Sequence, residues 1–462
     1  MLKTLINKEI LNNLLNLRFS LAYFLTTLLL VGSAAIMISD YVTQKKAFDI
    51  DRTVFARQGQ VNGNDFDSYM SEKTVVRPPS LTRIFAIGGE KDPDTRATIG
   101  PLSTPYFAGN FKRNPLTNLF PALDAAFIIG VILSLLIFIL TYDIISGERE
   151  EGTLKVLLSC PVPRDQILIA KWLGGFASLI IPLITSWIII MLLLLLTPGI
   201  TLTSDTYIRL FTLLPVFALY VAVVFSLSLM VSVLFEHSQS AILALLAVWV
   251  LGIVTIPAIS TPLAYLGTKS VSARENQLAM LQTKLAEIKT TNTELGKIWM
   301  SRLNPDGSPQ MQTESDWNEF NRTMTQAAGH IRQQYNDSII ASGQNFARHE
   351  AAVDNTARFI ARLSPYGCFT NICVAVAATG IGRDHELRAA LEEYSRKVIA
   401  LESGQNRRRR SGPPAIAPQF VLPVSSFAKN IEACVLDAAL LLLCGILFFM
   451  VAYLKFMKME AL

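Results

Sequence analysis

Apolar residues in this chain bunch into six long runs, at about 18–39, 122–142, 172–196, 211–234, 241–259 and 434–454, separated by polar stretches of very unequal length. Each run approaches the roughly 20 residues that carry a helix across a bilayer's hydrocarbon. A helix pairs its own backbone N–H and C=O groups, as any element surrounded by lipid must. The pattern predicts an α-helical polytopic membrane protein with six transmembrane helices. Lys3, Lys8 and Arg18 precede the first run, and Lys455 and Lys458 follow the last. Positive residues beside span ends favour the cytoplasm, and an even number of spans returns the chain to its starting side. Both termini are therefore expected in the cytoplasm of a multi-pass protein of the cell (inner) membrane, with 455–462 as a short tail. Segments 143–171 and 235–240 then face the cytoplasm, and 40–121 and 260–433 lie outside.

The polar segments have patterns of their own. Within residues 1–17, Leu2, Leu5, Ile6, Ile10, Leu14 and Leu17 share one helical face, and Lys3, Asn7, Lys8, Asn12 and Asn16 share the other. That suits an amphipathic helix lying in the membrane interface. Segment 40–121, with Pro78-Pro79 and Gly88-Gly89 between short β-like stretches, reads as a small mixed or irregular domain. Segment 260–433 is expected to be a largely helical extracytoplasmic domain. Leu278, Leu281, Leu285, Ile288, Leu295 and Trp299 keep a 3–4 spacing, with Asn292 on the same seam. After a break at Asn304 to Pro309, Trp317, Phe320, Met324, Ala327 and Ile331 form a second stripe. Together they predict an antiparallel helical hairpin projecting from the membrane. Packing within the domain and docking of a partner both fit it. The apolar stretch inside Tyr366 to Gly382 is too short to span and is expected as a buried or interfacial helix. Arg407 to Arg410, followed by Ser-Gly-Pro-Pro, reads as a solvated linker in a loop long enough to translocate despite its charge.

Composition agrees with this picture. Hydrophobic residues make up 51% of the chain and charged residues 17%, against roughly 25% charged in a soluble globular protein. A formal charge of +5 spread among membrane segments points to anionic lipid rather than nucleic acid, which is not expected as a partner. The five cysteines show no zinc-like spacing. Cys434 and Cys444 fall in an apolar run, and Cys368 and Cys373 are compatible with either a disulfide or plain buried thiols.

The most informative polar stretch runs from Ser146 to Lys171. It reads as an acidic turn (Glu148, Glu150, Glu151), then Gly152-Thr153-Leu154, a short helix with Leu154, Leu157 and Leu158 on one face, a stop at Pro161 and Pro163, and a new helix from Arg164. Acidic groups suit a helix N-terminus, and proline ends a helix. A short rigid helix lying between two spans can be pushed as a unit, which mechanical coupling to a soluble partner requires.

Glu-Glu-Gly-Thr-Leu, then Leu-Leu, then Pro-x-x-Arg, then a lysine opening the next span resembles the ABC-2-type exporter permeases, in the subgroup with large extracytoplasmic loops. Leu363-Ser364-Pro365, Thr379-Gly380 and Tyr394 are similar to that subgroup as well. The resemblance implies a homodimer or a pair of related permease chains joined to cytoplasmic ATPase subunits, with ATP and magnesium bound on those partners and no cofactor on this chain. It makes the 143–171 loop the coupling helix. Glu150, Glu151 and Arg164 are then the candidates for polar contact with the ATPase, with Thr153 and Pro161 in the same motif. Gly152 would allow close approach, and Leu154, Leu157 and Leu158 would pack. Lys171 is expected to anchor the next span by snorkelling.

No GxxxxGK[ST] phosphate loop occurs, so the chain is not expected to hydrolyse ATP itself. His349-Glu350 and His385-Glu386 fail as HExxH motifs because Val353 and Ala389 stand where the second histidine belongs. There is no GxSxG elbow, and no catalytic or metal site is expected. The spans read as almost free of buried charge, which argues against a proton relay or an ion channel. The competing reading is a membrane scaffold or mechanotransmission subunit of an envelope complex that works through the outer hairpin.

Overall fold

The computed structural model describes residues 2–61, 73–88, 96–99, 106–108, 123–159, 162–267, 351–380 and 426–459, with scattered positions between 283 and 420. The expected hairpin stripes and Arg407 to Arg410 lie outside this set. Six helices among the described residues are long and apolar enough to cross a membrane. The fold is an α-helical polytopic bundle.

Helix α1 (Leu2–Leu15) turns at Asn16 into α2 (Leu17–Val61). The elbow is fixed by the Asn16 side chain, whose Oδ1 accepts the Arg18 N–H at 3.0 Å. Helix α2 does not stop with its apolar run near residue 39. Its polar extension is held by pairs such as Gln44 Nε2 on Asp40 at 2.7 Å. Beyond it comes a three-stranded antiparallel sheet of β1 (Lys73–Val76), β2 (Arg96–Ile99) and β3 (Tyr106–Ala108), in that order.

Helix α3 covers 125–141, with a π-helical stretch Ile128–Leu133 between two α-helical ones. The short α4 (Ser146–Glu150) and α5 (Thr153–Ser159) follow, then α6 (Arg164–Leu196) and α7 (Ser204–Leu234). Helix α8 (Ser238–Gly267) is also interrupted by a π-helical stretch, Trp249–Thr255. After the intervening segment come α9 (Pro365–Ala377) and α10 (Phe427–Met457). Wide π turns leave carbonyls that accept from elsewhere. Tyr220 Oη donates to the Gly130 carbonyl at 2.7 Å, and Trp249 Nε1 lies 3.3 Å from that of Val131.

Helix α7 is the hub. Tyr220, Val221, Phe225, Leu229 and Val233 are wholly buried, and α3, α6, α9 and α10 pack around it. By contrast α2, α8 and α10 turn broad apolar faces outward, including Leu21, Phe24, Leu243, Leu251, Leu442 and Leu443. Outward apolar faces are what lipid or a second membrane chain covers.

Both described ends of the chain meet at one face of the bundle, called here the terminal face. The opposite, distal face holds two inserted elements. One is a strap at 81–88 whose Phe85 is fully buried, 4.9 Å from the Trp187 ring. The other is α9, capped by Ser364, whose Oγ accepts the Tyr366 N–H at 3.1 Å, with Pro365 in its first turn. Its Phe369 stacks on Tyr220 at 4.2 Å. The apolar stretch at 366–377 is thus a buried helix in the distal half. Thr379 Oγ1 ties it to the strap through the Ala86 carbonyl at 2.8 Å.

The expectation of spans almost free of charge needs correction. Arg209 and Asp437 are buried within α7 and α10, and Asp124 immediately before α3. Each is matched. Asp437 takes two hydrogen bonds from Arg362 at 2.8 and 2.9 Å and one from Asn371 Nδ2 at 3.0 Å. That carboxylate holds the Arg362 guanidinium above its usual pKa. Arg209 pairs with Asp205 at 2.6 Å and donates to the Val376 carbonyl at 2.9 Å, closing the C-terminal end of α9. Asp124 accepts from the Ile87 and Phe127 N–H groups. These charges pin the inserted elements. Cys368 and Cys373 are buried free thiols, five residues apart and both on α9, with no disulfide between them.

Candidate functional site

At the terminal face, α3 ends at Thr141 and the chain makes a four-residue turn before α4. The N–H groups freed by this break are caught by Ser232 of α7, whose Oγ accepts from Ile145 at 3.0 Å and Ser146 at 3.2 Å. One turn earlier on α7, the hydroxyl of Ser228 meets that of Thr141 at 2.7 Å. The start of the loop is therefore fastened to the hub.

Gly152 joins α4 to α5 with φ +72°, a left-handed backbone that side chains disfavour. A Cβ placed there would meet nothing within 4 Å. The glycine is required by the corner itself and not by a close approach within the chain. Helix α5 then lies with Leu154 buried and Leu157 half-buried against Ile145, Ile167, Leu229, Val233 and Phe456. Two of the three leucines expected to pack, Leu154 and Leu157, are turned against their own chain. The Leu158 side chain and Pro161 lie outside the described residues. Glu151, Thr153, Lys155 and Ser159 face outward, as does Val156 at 67% exposure, an apolar side chain presented beside charged ones.

Three sets of contacts fix this unit, and a fourth ties the start of α6 beside it to the end of α10. Lys171, at 6% exposure, reaches Glu148 at 2.7 Å and Glu9 at 3.5 Å. The snorkelling expected of Lys171 is thus corrected: two carboxylates hold the ammonium inside, where α1, α4 and α6 meet. Glu150 Oε2 accepts the Ser238 hydroxyl at 2.6 Å, and its Oε1 accepts the Ser238 N–H at 3.1 Å and lies 3.3 Å from His237. It caps the start of α8. Arg149 lies 3.8 Å from Glu236 in the same turn. Arg164 donates to the carbonyls of Met457 at 3.3 Å and Met459 at 2.6 Å, closing the end of α10. Glu150 and Arg164, expected as contacts for a partner, are thus already engaged within the chain.

Helix α1 completes the face. It crosses α6 at Gly174, where an added Cβ would sit 2.6 Å from that of Glu9, and Asn13 Nδ2 reaches Ser178 Oγ at 3.3 Å. Its inward side therefore includes the polar Glu9 and Asn13, while Leu11, Leu14 and Leu15 face out.

The family described as ABC-2 family transporter protein matches residues 4–339. The chain belongs to this family. The match spans α1 to α8 of the ABC-2 protein and ends before α9 and α10. An ABC-2 permease is the multi-pass membrane subunit of an ABC transporter, and members of the family generally work with a cytoplasmic ATPase subunit. No individual curated protein matches the chain.

Sequence reasoning found the loop but missed half of what holds it. Glu9, Glu148, Ser232, Glu236, His237 and Ser238 are all part of this ABC-2 protein's terminal face. The short polar break Glu236-His237-Ser238 between two apolar runs was the one available signal, since nothing in the loop's own sequence names its partners.

Proposed function

We propose that this ABC-2 permease is an exporter subunit whose terminal face is cytoplasmic and whose α4–α5 unit seats in a cleft of a separate ATPase subunit. ATP and magnesium would bind on that partner. A second permease chain, identical or related, would complete the path. Thr153, Lys155, Val156 and Glu151 form the contact row, while Glu150, Arg164 and Lys171 transmit.

One observation carries this reading. A single outward-facing unit is bonded directly to α6 through Glu148, to α7 through Ser146 and to α8 through Glu150, and the same α6 is tied by Lys171 to α1 and by Arg164 to the end of α10. A push on α5 is therefore delivered to α6, α7 and α8 directly, and through α6 to α1 and the end of α10. The apolar leucines under α5 make it one body with the bundle base.

The test is cysteine crosslinking to the co-expressed ATPase subunit. Val156→Cys and Glu151→Cys should crosslink, and Leu154→Cys should not, because that side chain faces the bundle. Capture through Leu154→Cys alone, or no ATPase capture by a folded, membrane-inserted chain, would overturn the proposal. ATP hydrolysis with no substrate flux in vesicles would favour the mechanotransmission reading.

A further inference from the structure

A cavity of about 350 Å³ opens beside the α1–α2 elbow, between α2, α3 and α6. That volume falls within the range of small-ligand sites. Phe19 and Thr26 bound it on α2, and Leu133 and Leu140 on α3. Each pair is seven residues apart, so the cavity extends about 10 Å along the bundle axis. It is a slot with mostly apolar walls.

Its rim has a different character. Ser20 and Leu14 are exposed at the mouth, and Arg18, at 65% side-chain exposure, stands next to Phe19. Asp143 lies one turn beyond Leu140, and its carboxylate holds Arg18 only loosely at 3.5 Å. Inside, Pro182 withholds the N–H that the Ser178 carbonyl would receive in a regular helix, and both residues line the slot. A narrow apolar slot with one exposed arginine beside its mouth, held only at 3.5 Å by a carboxylate, matches a chain that is apolar along its length and carries a phosphate that competes for the arginine.

We propose that this slot holds one acyl chain of an anionic glycerophospholipid from the leaflet at the terminal face, with its phosphate at Arg18. The lipid joins the α1–α2 elbow to α3 and α6. Since α1 also carries Glu9 to Lys171, the lipid stabilises the side of the bundle on which the α4 contact rests. The site does not depend on the direction of transport or on the ATPase contact.

The experiment is native mass spectrometry of the full-length protein released from nanodiscs containing phosphatidylglycerol and phosphatidylethanolamine. The wild type should retain one lipid, with phosphatidylglycerol preferred. Ala22→Phe, which fills the slot, should lose the adduct. Ser20→Trp, at the exposed rim, should lose it without disturbing the buried wall, which covers the case in which Ala22→Phe does not fold. Arg18→Gln should keep a lipid and lose the preference for phosphatidylglycerol. Retention of the adduct by a monodisperse Ser20→Trp protein would overturn the proposal. So would absence of lipid from the wild type, or disulfide-linked dimers of Ser20→Cys, which would mean that a second copy covers the mouth.

Discussion

Lys171 shows how much a single position settles. Its ammonium lies between Glu148 and Glu9, and removing it strands two carboxylates that are less than a third exposed. Breaking a buried pair from one side costs more than replacing the whole pair by apolar groups. Lys171→Met is therefore expected to lower stability by about 2–3 kcal/mol, with Lys171→Met/Glu148→Gln recovering part of the loss. Thermal unfolding of the purified variants measures both. Gly152→Ala should cost about 1 kcal/mol through its left-handed backbone alone, with no packing change to add. These residues were legible in the sequence as a motif, but their partners were not. Glu9 is 162 positions from Lys171 and Ser238 is 88 from Glu150, and no local pattern carries information over such separations.

Elements built from long apolar runs could be read directly, because one physical requirement, a self-paired backbone in lipid, shapes each of them. Shorter elements could be read only where an apolar face or stretch marked them, as in α1, α5 and α9. The strap at 81–88 buries Ile84 and Phe85 with too few residues to show a period. Helix α2 continues to Val61 through charged residues that read as the start of a small mixed or irregular domain, because i,i+4 pairs sustain a helix that apolar burial does not. The wide turns of α3 and α8 look like ordinary apolar sequence. Where a break did occur, α7 repairs it: Ser232→Ala should leave the Ile145 and Ser146 N–H groups unpaired and cost about 1–3 kcal/mol. The same change should speed proteolysis within the α4–α5 loop, read by limited digestion in detergent. At the distal side, Arg362 and Asn371 meet on Asp437. Asp437→Leu strands a cation and is expected to destabilise the bundle by about 3 kcal/mol, with Arg362→Leu/Asp437→Leu close to wild type.

On the scale of the molecule, the two polar networks sit at opposite ends of one apolar bundle, and their partners do not overlap. Distant changes add within about 0.5 kcal/mol when nothing connects them. Lys171→Met/Asp437→Leu should thus lose the sum of its single-variant effects in the resting protein. A larger discrepancy on denaturant unfolding would show the two faces to be energetically linked through α7 and α10. The position of α7 has one more consequence, which concerns the order of synthesis. Its broadest partner is α10, whose Phe427 follows Leu234 by 193 residues. At roughly 5–20 residues per second, α7 waits on the order of 10–40 s before that face can be covered. A ribosome stalled anywhere in that interval leaves a hub with its central face bare, so quality-control proteases should recognise unfinished chains by α7 and spare completed ones.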